Sequence, residues 1–159
     1  MDIKLAAAYW SLESLASEEL PAIALGALEQ GLDSPSLRAL AVMRAPAMSE
    51  AGPLFHSCLA ELDIDIPPQA AAAIAIARHH AHTIIKGRIT PYEGAKRIVD
   101  EAAYFCEFDE LKLLMGLVDE YADFRDDVHV DFYGEAYCQK VRESIERAIL
   151  ATAKDLIRR

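Results

Sequence analysis

Carboxylates dominate the stretch of chain where chemistry could gather. Asp119, Asp123 and Asp127 stand four residues apart, and on one helix that spacing aligns them in a stripe able to hold Mg²⁺. Like charges this close destabilise a helix unless a cation or solvent relieves them. Glu107 and Glu110, and then Glu120 and Asp123, form two further acidic pairs. Histidines offer a second possibility, because His79 and His82 share a helix face and His80 sits beside them. Lys86 falls on that face too, and its charge opposes a metal there. Neither His-x-x-x-His nor Glu-x-x-His occurs, so packing or surface histidines are the ordinary reading. A small-molecule pocket beside His79 and His82 stays open as a third possibility.

Nucleophilic chemistry has little support. Cys58, Cys106 and Cys138 are odd in number and lack C-x-x-C spacing, which fits a reducing compartment and inert buried thiols. His56 and Cys58, two residues apart on a helix, point to different faces. No glycine-rich phosphate loop occurs. No cofactor is expected, with Mg²⁺ required only if the carboxylates form a metal cluster.

Charge is the clearest functional clue. The net charge of −10 lies wholly between Asp100 and Glu135, where twelve acids face only Lys112 and Arg125. Such a field repels nucleic acid and anionic membrane and steers a cationic partner inward. A solvated acidic surface is the ordinary explanation. The sharper one is a docking surface for a basic protein, centred on Asp119, Glu120, Asp123, Asp126, Asp127 and Asp131. Tyr104, Phe105, Phe108, Tyr121, Phe124, Phe132, Tyr133 and Tyr137 are interleaved with the acids; most of these rings are expected in the core, the rest as anchors. Upstream, Arg78, Lys86, Arg88, Lys96 and Arg97 face only Glu93, a basic stretch expected to pair with the acidic segment.

The elements that must position these groups read as helices throughout. Ser34-Pro35 opens a short helix to about Met43. Thr90-Pro91-Tyr92-Glu93 is a capping box with proline at the first helical position. Gly87 closes a helix that begins at Pro67-Pro68, whose many alanines suggest a central element closely approached by neighbours. Leu111, Leu114, Met115, Val118, Tyr121 and Ala122 form one apolar stripe, on a helix ended by the acid-rich stretch after Phe124. Tyr137, Val141, Ile145, Ala148, Ile149, Thr152 and Leu156 form another, a C-terminal helix of core or dimer-seam width. Two helices flank Ser17 and one covers Ser49 to Leu62. With no alternating strand pattern, the expectation is an all-α, compact single domain over residues 1–159. It holds seven or eight helices, as an orthogonal bundle or stacked antiparallel pairs. With no signal segment and no long apolar run, a cytoplasmic protein is expected.

Two resemblances accompany this reading. Glu107-x-x-Glu110 with Glu120-x-x-Asp123 resembles the paired acidic motifs of all-α, MazG-type nucleoside triphosphate pyrophosphohydrolases. It implies a Mg²⁺-dependent nucleotide hydrolase with Glu107, Glu110, Glu120 and Asp123 as metal ligands. Gly31 to Ala41 and Gly87 to Ile98 resemble recurring elements of small, acidic, all-helical bacterial proteins of uncharacterised function, implying a bacterial source and no catalytic residue. The leading expectation is a non-enzymatic module, immunity-protein-like, whose acidic side binds a basic protein. The hydrolase is the alternative, and oligomeric state is open.

Overall fold

The computed structural model describes residues 1–158. Among these the chain is all helix and turn: α1 (Ile3–Ser11), α2 (Leu20–Glu29), α3 (Pro35–Ala41), α4 (Met48–Glu61), α5 (Gln69–Ile85), α6 (Pro91–Glu101), α7 (Asp109–Asp123), α8 (Asp127–Tyr133) and α9 (Glu135–Arg158). The ninth helix beyond the seven or eight expected is α8, inside the acid-rich stretch read as a terminator. No described helix is long and apolar enough to cross a membrane.

Side-chain caps explain where several helices begin. Asp2 accepts from the Lys4 and Leu5 amides at 2.9 and 3.0 Å. Ser34 Oγ accepts from Leu37 N–H at 3.2 Å ahead of Pro35. At α6 the capping box is complete: Glu93 N–H donates to Thr90 Oγ1 at 3.2 Å, and Thr90 N–H to Glu93 Oε2 at 3.4 Å. Each such cap is worth about 1 kcal/mol.

The chain divides into two compact units, Met1–Ala72 and Ala73–Arg159. In the first, α2 packs on α3 and α3 on α4, burying Leu20, Leu37, Leu40, Phe55 and Leu59. Trp10 tilts against Phe55 with centroids 5.3 Å apart. Each large apolar side chain so buried contributes about 1.5–3 kcal/mol.

In the second unit α7 packs on α9, α6 on both, and α8 on α9. Leu111, Leu114 and Val118 of α7 are buried, as are Cys138, Ile145, Ile149, Ala153 and Leu156 of α9. The α9 stripe therefore starts at Cys138; Tyr137, expected to lead it, is exposed, and Val141 and Ala148 are half-buried. On α5 the small residues also differ from expectation. Ala77 and Ala81 are buried with Ile76 and Ile84, whereas Ala70, Ala71 and Ala75 face solvent. The alanine richness thus serves one close-packed face only.

That face meets α6 where Gly94 removes a side chain. A Cβ at Gly94 would lie 2.2 Å from Ile84 Cγ1 and 2.9 Å from Ile89 Cδ1, well inside contact distance. Gly94→Ala is expected to destabilise the chain by about 1–3 kcal/mol in urea unfolding, with a smaller penalty in an Ile84→Ala background. Equal penalties in both backgrounds would show that the contact is not the cause.

Candidate acidic docking face

The α7 residues Asp119, Glu120 and Asp123 span about 100° of helix circumference at 3.6 residues per turn, on the side away from Leu111, Leu114 and Val118. All three are exposed. The chain then turns through Phe124 and Arg125 into α8, where Asp126 is the N-cap. Its Oδ1 accepts from His129 N–H at 2.8 Å and lies 2.9 Å from His129 Nδ1. These bonds, the backbone one foremost, hold the Asp126 carboxyl below its ordinary value of 3.8.

Helix α8 buries none of its residues. Asp127 and Asp131, one turn apart, make its acidic edge. Beside them run Val128 and Phe132, 74% and 77% exposed. A third edge is aromatic: His129 lies 5.4 Å from Phe124, and Tyr133 stacks on Tyr137 of α9 at 5.4 Å. This ladder, together with the Asp126 cap, stands in for the core contacts that α8 lacks. None of the eight rings interleaved with the acids is fully buried; Phe108, Tyr121 and Phe124 are half-buried and the other five exposed. The expectation that most were core is overturned, because α7 and α9 meet through aliphatic side chains instead.

The six carboxylates predicted as a docking surface, Asp119, Glu120, Asp123, Asp126, Asp127 and Asp131, are all exposed. Among the described residues none pairs with a lysine or arginine; Asp126 alone is paired, with His129. Some basic residues of the unit pair with other acids. Lys96 pairs with Asp100, Lys112 with Glu107 and Arg142 with Glu135. The upstream basic stretch thus supplies one ion pair to the acidic segment, the helical Lys96–Asp100 contact, rather than neutralising it.

At the foot of this face lies a polar cavity of about 490 Å³ lined by Tyr92, Glu93, Tyr121, Arg125, Arg142 and Glu146, among others. Tyr92 and Tyr121 stack at 4.1 Å, and the Arg125 guanidinium sits 5.7 Å above the Tyr92 ring. Arg142 donates to Phe124 O at 2.7 Å, which ties the entry to α8 onto α9. Burial, then the Glu146 charge beside it, raises the Tyr121 phenol and keeps it a donor to Glu146 at 3.4 Å. The sequence reading missed this pocket, since Tyr92, Arg125 and Glu146 come from separate elements with no local signature.

The alternative metal quartet is not brought together. Glu110 and Glu120 lie on one helix ten residues apart, a rise of about 15 Å, too far for one ion cluster. Glu107 sits outside α7 and pairs with Lys112 at 3.4 Å, and Glu110 is buried. Asp127 likewise leaves the supposed stripe with Asp119 and Asp123, because α7 ends at Asp123 and α8 starts a new axis. Among the described residues no three of His, Cys, Asp and Glu gather as a metal-holding group.

The thiols are poor nucleophiles. Burial, with Glu61 adding to it, pushes Cys58 up to about 11, and burial raises Cys106 as well. Cys138 is buried. At pH 8 a disulfide reagent is expected to label Cys106 slowly, and Cys58 and Cys138 only after unfolding; rapid labelling of Cys58 in the native chain would contradict this. Asp126 allows a second check. A depressed carboxyl stabilises above its ordinary value and loses that contribution as pH falls through the shifted one. NMR titration of Asp126 should therefore give a midpoint below 3.8, with α8 fraying below it; a midpoint at or above that value would refute the cap. In comparisons with known proteins the chain matches no family model, no curated protein and no solved structure.

Proposed function

We propose that this chain is a non-enzymatic interaction protein whose α8 face binds a basic protein partner, in the manner of an immunity protein that neutralises a cationic toxin. One observation carries the reading. Helix α8 exposes Val128 and Phe132 beside Asp127 and Asp131, and these carboxylates have no lysine or arginine partner among the described residues. Exposed apolar side chains of this size are costly to hydrate. Grouped within a charged surround, they have the makeup of an interface anchor with a polar rim. The uncompensated acids supply steering and register, which charge complementarity delivers more than raw affinity. A partner that fits presents lysine or arginine around an apolar recess.

The test is capture from a lysate of the source cell at low and high salt, followed by affinity measurement on the captured protein. The partner is expected to be basic and to release as salt rises. Asp123→Lys with Asp127→Lys should weaken binding, mainly through slower association, and Phe132→Ala should weaken it roughly tenfold or more through faster dissociation. A partner indifferent to salt and to the charge reversals, or no partner at all, removes the reading.

A further inference from the structure

The second unit also holds a site of opposite sign. His79, His82, Thr83, Lys86 and Arg88 line a cavity of about 240 Å³ at the C-terminal end of α5, with no acid among them. His79, His82 and Lys86 recur at three and four residues and so share one helix face. Arg88 reaches that face because Gly87, at φ +65, turns the chain back. The Arg88 amide then donates to Thr83 O at 3.0 Å.

Cations at the end of a helix ordinarily answer its free carbonyls and negative dipole end. Here three of the last four carbonyls are already taken by amides: His82 O by Lys86, Ile84 O by Gly87 and Thr83 O by Arg88. The Thr83 hydroxyl donates to His80 O, one turn back, at 2.7 Å. Hydrogen bonding to these three carbonyls therefore does not account for the side chains of Lys86 and Arg88. Nor do ion pairs, for among the described residues neither has a carboxylate partner, in contrast to Lys96, Lys112 and Arg142. Lys86 and Arg88 bring two positive charges to one cavity beside two imidazoles, and an anion between them offsets their mutual repulsion.

We propose that this cavity binds the dianionic oxygens of a phosphate monoester. Lys86 and Arg88 match its charge, and the guanidinium fork and the His82 imidazole suit oxygen acceptors. A metal cation is disfavoured by the same two charges. The volume admits a phosphate with a small organic group, borne either by a soluble ester or by a lipid headgroup. The site shares no residue with the acidic face and does not rest on the partner-binding reading.

Inorganic phosphate titrated into the full chain at constant ionic strength, followed by the NMR signals of His79 and His82, tests the proposal. Saturable shifts are expected, absent with chloride, and weakened roughly tenfold or more in Lys86→Ala and Arg88→Ala. Both side chains are exposed, so the fold should be kept, and unchanged circular dichroism verifies it. Asp127→Lys should leave the shifts as they are. A parallel arm uses phosphatidylcholine vesicles with and without phosphatidic acid. Association that needs phosphatidic acid and Lys86 assigns the phosphate to a lipid headgroup, and phosphate binding without vesicle association assigns it to a soluble ester. Shifts that do not saturate, that chloride reproduces, or that both alanine variants retain overturn the proposal.

Discussion

The acidic face depends on how α8 is held without a core of its own. A seven-residue helix with no buried residue has too few internal hydrogen bonds to persist alone, because helix nucleation is costly and short helices are marginal in water. Three contacts fix it instead: the Asp126 cap on the His129 amide, the ring ladder from Phe124 through His129 and Tyr133 to Tyr137, and Arg142 holding the Phe124 carbonyl. The ladder joins α8 to Tyr137 of α9, while the cap and Arg142 fix the turn that leads into it. The opposite edges, Asp127 with Asp131 and Val128 with Phe132, are thereby left in water. Exposure of these groups is a consequence of the way α8 is anchored, and the proposed interface follows from it.

Charge distribution follows the same logic. Lys96, Lys112 and Arg142 are drawn into local pairs with Asp100, Glu107 and Glu135, each of which is exposed on at least one side and weak. The carboxylates from Asp119 to Asp131 are left with no cationic side chain to answer them, apart from His129 at the cap. At the end of α5 the imbalance reverses, with Lys86 and Arg88 unanswered by acids. A chain of net charge −10 thus carries two unneutralised centres of opposite sign within one unit, and each has a geometry of its own.

Most helices were legible because their signals are local. Ser34-Pro35 and Thr90-Pro91-Tyr92-Glu93 begin helices where capping chemistry says they should, and the α7 and α9 stripes repeat every three to four residues. Helix α8 was not legible, since its apolar residues face water and leave no amphipathic stripe, while its acids read as a breaker. Asp126 at the cap and Gly134 after Tyr133 were its only local signs. The exposure of the aromatic residues was hidden for a related reason: hydrophobicity predicts burial on average, but which rings find a neighbour depends on aliphatic packing between α7 and α9. The stacking of Tyr92 on Tyr121 is a tertiary fact with no sequence mark.

The central claim is that the carboxylates around α8 are the surface a partner touches, and zero-length carbodiimide cross-linking of the captured complex reads that contact directly. Cross-links from partner lysines are predicted at Asp123, Asp127 and Asp131. Cross-links confined to the first unit, before Ala73, would contradict the account.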